Sequence, residues 1–249
     1  GSIQKYTHAK FKLVINQNRK YKSIIEDNKY LNKEIKKFNL KSKIIKINDH
    51  FKDKKKLITN NYFKNINNLK NLSFIFEFSK IYKLNQYKLI KTINSFKGLK
   101  YRQQIIYQDK NILIINDSKS TSFSSSLNLL KSYKNIYWIV GGLSKKGDKF
   151  NLHPKYFNNI QGYIFGKDQK IFYKILRNKI KSYRFKNLKI LLEKIIKKIK
   201  KSKKRSSCIL FSPAAASFDN FKNFEDRGRY FNSLIKTKNF IKRIYAWFK

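Results

Sequence analysis

The chain has 249 residues, and 59 Lys or Arg against 14 Asp or Glu give it a formal charge of +45. Hydrophobic residues make up 41% and aromatics 16%, enough apolar material for a packed core, which excludes disorder throughout despite the charge. A single cysteine excludes an internal disulfide and a cysteine-built zinc cluster, and no apolar run reaches the ~20 residues that cross a bilayer.

Residues 1–10 (GSIQKYTHAK) are polar and read as a loop entering a helix, followed by a short apolar strand over 11–16. A second strand is expected over 21–26, with Asp27 and Asn28 as a turn or cap for a helix over 28–38. SKIIKI at 42–47 reads as a strand and 52–61 as a charged surface connection. Apolar residues at Leu69, Leu72, Phe74, Ile75, Phe78 and Ile81 form a helical stripe, and a shorter helix over 87–95 ends by Gly98. The texture then changes. Residues 104–107 and 112–115 flank a polar turn as a hairpin, and helix follows over 121–132. Strands at 136–140, 163–165 and 207–211 alternate with helices at 169–177, 188–199 and 223–235. Such alternation implies parallel pairing in a doubly wound α/β layer, with the domain boundary near Gly98.

The charge invites a nucleic-acid reading, since clustered cations release counterions from phosphates. Its distribution favours another account. Lysines are spread over nearly every element among Asn, Ile, Tyr and Phe, the residues of A/T-rich codons, and only 52–56 and 197–205 are dense runs. The excess is mostly Lys, which lacks the fork that reads base edges. Anionic small substrates suit the charge equally. With no methionine, the sequence is expected to be a piece of a longer chain, and the lack of a secretory pattern or spanning segment leads to the expectation of a soluble, cytoplasmic protein without stable membrane insertion.

Three loops stand at the carboxyl ends of expected strands, where open α/β sheets bind ligands. Asn116-Asp117-Ser118-Lys119-Ser120-Thr121 precedes a helix, so Asp117 could cap that helix or hold ribose hydroxyls. Gly141-Gly142-Leu143-Ser144-Lys145-Lys146-Gly147 is glycine-rich, but Asp148 follows where a P-loop needs Lys-Ser/Thr. SPAAASFDNFKNFEDRG at 212–228 pairs small residues with a polar cluster opening a helix; it could admit a ligand or simply make a capped turn with aromatic packing. His8, His50 and His153 lack metal-ligand spacing and read as surface or loop residues, and Cys208 reads as a small core residue. The tail NFIKRIYAWFK at 239–249 could graze a membrane surface, or Trp247 could pack on the domain.

Together these loops resemble the Mur ligases, in particular the branch that adds D-glutamate, and GSIQKYTHAK and NSFKGLKYRQQ extend the likeness in order along the chain. The resemblance implies a fold in two α/β parts: residues 1–98 as the later half of a mononucleotide-binding central domain, and 99–249 as a Rossmann-like C-terminal domain. It implies ATP and Mg²⁺ as cofactors, UDP-N-acetylmuramoyl-L-alanine and D-glutamate as substrates, an acyl-phosphate route to an amide bond in peptidoglycan precursor synthesis, and a full-length monomer. Lys10 matches the lysine whose carbamate holds magnesium, and Arg102 the arginine on the ATP phosphates. Asn68, Asn71, Asp117 and Lys119 match nucleotide-binding positions. Thr121, Lys145, Ser217 and Phe224 match positions that hold D-glutamate, Phe224 through its backbone N–H; Lys146 could take the place of Lys145.

The sequence departs from the pattern in lacking the P-loop, the UDP-binding domain and the metal-ligating histidine upstream of Gly1, and in having Asn67 where the family has His. These residues alone are therefore expected to lack ligase activity. The alternatives are a related ligase adding another amino acid, a basic nucleic-acid-binding module, or an interaction fragment without chemistry.

Overall fold

The computed structural model describes residues 3–47, 52–64, 66–202 and 206–236. His50, the end of the second lysine run and the aromatic tail with Trp247 lie outside them. The chain divides into two compact units, Gly1–Lys97 and Gly98–Lys249.

The first unit runs α1 (Ile3–Ile15), β1 (Lys22–Glu26), α2 (Lys29–Ile35), β2 (Lys43–Ile47), α3 (Ile66–Ile81) and α4 (Gln86–Ser95), with 3-10 turns at Lys52–Leu57 and Asn61–Lys64. Strands β1 and β2 pair in parallel, from Lys22 opposite Lys43 to Glu26 opposite Ile47. Asparagines start two of the helices: Asn28 Oδ1 accepts the Leu31 N–H at 2.8 Å, and Asn85 Oδ1 accepts that of Lys88 at 2.9 Å. The strand expected over 11–16 is instead the second half of α1. Thr7 and Phe11, four apart, are buried while the three residues between them are exposed, which is a helical period. Phe11 stacks on Phe38 with centroids 5.4 Å apart, and this packing outweighs the local strand preference. Phe63, Leu72, Phe76 and Ile93 form the core under α3 and α4.

The second unit is a six-stranded sheet. It comprises β3 (Gln104–Gln108), β4 (Ile112–Asn116), α5 (Phe123–Ser132), β5 (Ile136–Gly141), β6 (Ile160–Phe165), α6 (Gln169–Leu176), β7 (Lys181–Arg184), α7 (Leu188–Lys200), β8 (Ser207–Phe211) and α8 (Phe224–Lys236). Strand order is β3-β4-β8-β5-β6-β7, all parallel except the antiparallel edge pair β3–β4. Period-2 alternation sends Ile112, Ile114, Tyr137, Ile139, Tyr163, Phe165, Ile209 and Phe211 to the face covered by α7 and α8. Ile115, Trp138, Val140, Ile164 and Leu210 go to the opposite face, under α5 and α6. Burial on both faces explains the continuous apolar runs of β4, β5 and β8. The expected hairpin forms, and the unexpected strand is β7, a four-residue edge of sequence KSYR. Because β8 inserts between β4 and β5, the loops after these three strands open side by side at the carboxyl edge.

Candidate functional site

In the first unit, Lys10 is exposed on α1, its Nζ 5.7 Å from the centroid of the Tyr6 ring one turn earlier. Asn68 is buried on α3 and its Nδ2 donates to the Tyr62 carbonyl at 2.8 Å, whereas Asn71 is exposed. Among the described residues, no three His, Cys, Asp or Glu side chains gather to hold a metal. A lysine ammonium repels a cation, so these residues do not by themselves make a magnesium site. His8 and His153 are exposed, the latter accepting the Lys155 N–H through Nδ1 at 3.3 Å.

In the second unit, Asp117 ends β4 with its carboxyl buried. One oxygen accepts the Gln103 N–H at 3.1 Å and the other the Ser212 hydroxyl at 2.8 Å. Burial pushes its pKa up to about 7, against the lowering effect of the Ser212 and Gln103 hydrogen bonds and of the Arg102 and Arg227 charges. The Ser212 hydroxyl lies 2.8 Å from that of Ser126, which lies 2.7 Å from that of Ser120, so a row of buried hydroxyls backs the carboxyl. The helix-cap role considered for Asp117 belongs instead to Ser122, which forms a capping box with Ser125.

Arg102 is exposed beside Asp117, on a bend flanked by Tyr101 at φ 61° and Gln103 at φ 51°. Two non-glycine residues in the left-handed region cost on the order of 1–3 kcal/mol each and persist because the surroundings over-determine them. Here Lys119 N–H donates to the Tyr101 carbonyl at 3.0 Å, and Gln103 is tied to Asp117. The Tyr101 ring lies against Gly228, where a Cβ would stand 2.4 Å from Cδ1 of the tyrosine.

Lys119 Nζ sits 4.1 Å over the centroid of the Phe224 ring, and the Ser118 hydroxyl donates to the Phe224 carbonyl at 2.8 Å. The proposed nucleotide and amino-acid positions thus touch within this unit. Phe224 is the first residue of α8, where backbone N–H groups lack intrahelical partners. Ser217 is buried, and its carbonyl accepts the Phe221 N–H at 3.0 Å. Leu143 and Ala216 exchange two backbone hydrogen bonds of 3.0 Å, joining the second and third loops. Thr121 is exposed just before α5. Lys145 and Lys146 are exposed around a hollow of about 370 Å³ floored by Phe123, Ile171, Phe172 and Ile175, with Ser144 and Asp148 at its side.

Sequence reasoning missed Arg227 and Asp168. Arg227 is fully buried on α8, and burial lowers its pKa to about 10 against the raising effect of Asp219 and Asp117. Its signal is an arginine in the first turn of a helix and next to a glycine, a position where bulk can be buried. Asp168 Oδ2 accepts both the N–H and the hydroxyl of Ser144 at 2.8 Å, which lowers its pKa and pins the lysine loop. Cys208 is buried in the sheet, with its thiol pushed up to about 12 by desolvation, as fits a core residue. No helix among the described residues is long and apolar enough to cross a membrane.

No family model matches the chain. It is 37% identical over 164 residues to the UDP-N-acetylmuramoylalanine–D-glutamate ligase of Wolbachia sp. subsp. Brugia malayi (strain TRS), covering 66% of this chain and 33% of that one. It is 33% identical over 185 residues to the ligase of the same name from Rickettsia bellii (strain RML369-C), covering 74% of this chain and 41% of that one. The chain thus spans a third to about two fifths of the length of these curated relatives. A crystal structure of a murein peptide ligase from Psychrobacter arcticus covers 62% of this chain and 32% of its own at 12% identity, with a TM-score of 0.37, too low for the fold to lean on it.

Proposed function

The chain belongs to the Mur ligase family, and from that premise we propose that the whole protein joins D-glutamate to UDP-N-acetylmuramoyl-L-alanine with ATP, in peptidoglycan precursor synthesis. The observation that supports this reading most is the convergence of the loops after β4 and β8, where Lys119 meets Phe224 and Asp117 meets Ser212. On this proposal the ionised Asp117 accepts hydrogen bonds from ribose hydroxyls, and Arg102 and Lys119 neutralise phosphate oxygens. Asn68 and Asn71 belong to the nucleotide site of the first unit. Thr121, Lys145, Ser217 and the Phe224 N–H orient the two carboxylates of D-glutamate so that its amine attacks the acyl phosphate of the alanyl group. The catalytic contribution is positioning and charge neutralisation, consistent with a site rich in cations and poor in acids. Magnesium, when bound, neutralises phosphate charge; Lys10 is a ligand for it only as a carbamate, which labelling of the full-length protein with ¹³C-bicarbonate tests.

The deciding experiment measures phosphate release by the full-length protein with ATP, the UDP-sugar substrate and a panel of amino acids. Release that requires D-glutamate is expected. Equal release with another amino acid would move the assignment to a related ligase, and release independent of any amino acid would end it.

A further inference from the structure

We propose that Arg227 is a positioning residue that couples the nucleotide loop to the amino-acid loop, so that filling one raises affinity at the other. The inference rests on the ligase reading and deepens it. Arg227 Nε donates to the Ser118 hydroxyl at 3.1 Å and Nη2 to the Ser118 carbonyl at 2.7 Å, a two-pronged grip on the residue between Asp117 and Lys119. The same hydroxyl donates to the Phe224 carbonyl, which ties the first turn of α8 back to the loop. Asn116 extends the seam. Its Nδ2 donates to the Gly228 carbonyl at 2.9 Å and to Asn232 Oδ1 at 2.7 Å, and its Oδ1 accepts the Ser118 N–H at 3.0 Å. On the far side, Nη1 lies 3.3 Å from where a Cβ on Gly142 would stand. One guanidinium therefore borders the loops that follow β4, β5 and β8.

An arginine serving only to fill the core would have its donors spent, because a buried unpaired donor is costly. Here Nη1 is buried without a partner, and so is Oδ1 of Asp219 on the β8 loop. Asp219 Oδ2 accepts the Lys167 N–H at 3.0 Å, and no ion pair joins the carboxylate to Arg227. The half-buried Asp219 carboxylate is near enough for its charge to act on the buried Arg227 guanidinium, yet the two form no ion pair. A small shift of the β8 loop that closes this gap draws the three loops together, and a ligand that favours the closed arrangement at one loop favours it at the other.

The test is the dissociation constant of ADP for the full-length protein, with and without saturating D-glutamate, in wild type, Arg227→Lys and Asp219→Asn. In wild type, D-glutamate is expected to tighten ADP by about fivefold or more. Both substitutions are expected to bring that ratio to about one while changing ADP affinity alone by less than about threefold, because lysine keeps the charge but not the fork. A wild-type ratio of one overturns the coupling, as does a ratio that survives both substitutions. If Arg227→Lys does not fold, Asp219→Asn alone decides. A wild type that ligates D-glutamate but shows no coupling removes this inference only, whereas one with no D-glutamate-dependent phosphate release removes the ligase reading and the coupling with it.

Discussion

Asp117 carries the sharpest chemical consequence of any single residue here. Its carboxyl has a pKa of about 7 against an ordinary 3.8, so the folded protein holds a proton that the unfolded chain has released. That stability is fully present below about pH 3.8 and is lost as the pH rises through about 7, a change on the order of a few kcal/mol. Thermal unfolding should therefore show a steeper decline between about pH 4 and 7 in the wild type than in Asp117→Asn, a difference readable by calorimetry. Ligand binding should run the other way, since ribose hydroxyls need the ionised acceptor: ADP is expected to bind more weakly at pH 6 than at pH 8. Ser212→Ala removes the hydroxyl donated to Asp117 Oδ2, and should lower stability at pH 8 by about 1–3 kcal/mol and move the titration upward.

At the scale of elements, the glycine loop after β5 offers an internal contrast. Gly141 has φ +125°, and a Cβ on it would stand 2.0 Å from the Phe165 carbonyl oxygen, a backbone atom with no room to retreat. Gly147 in the same loop has φ +78° and nothing within 4 Å. Gly147→Ala should cost about 1 kcal/mol, while Gly141→Ala should exceed it several-fold and part β5 from β6, as chemical denaturation of the two variants would show. This loop and its neighbours were legible in the sequence because small and left-handed positions demand glycine. Strands β4, β5 and β8 were legible because burial on both faces demands unbroken apolar runs. Helix α1 was not: the run FKLVI at 11–15 has strand-like composition, and only Phe38 and Thr7 beside it reveal which period is used. Strand β7 was hidden because an edge of four half-polar residues has one neighbour to satisfy and no core to fill. The role of Arg227 was hidden for another reason: its partners lie 109 residues away in sequence.

For the molecule as a whole, the excess of cations dominates. With 59 basic residues against 14 acidic ones, most lysines have no acidic partner available, and mutual repulsion works against the compact state. Salt should therefore stabilise this protein more than it does one of balanced charge. Raising sodium chloride from about 20 to 300 mM, which shortens the screening length to well under about 10 Å, should lift the unfolding midpoint by several degrees. A midpoint that stays level would show that the lysines sit far enough apart to ignore one another.

The insertion of β8 between β4 and β5 also governs how the second unit is made. Until residues 207–211 leave the ribosome, no strand can join β4 to β5, since β8 is the strand between them. The central stave is the last strand made, and its pairings close chain separations of 95 residues to β4 (Ile112 opposite Ser207) and 72 to β5 (Ile136 opposite Cys208). Translation halted just short of that stave would leave β4 and β5 unjoined, so the cell's exposure to aggregation is concentrated in the few seconds before it is synthesised.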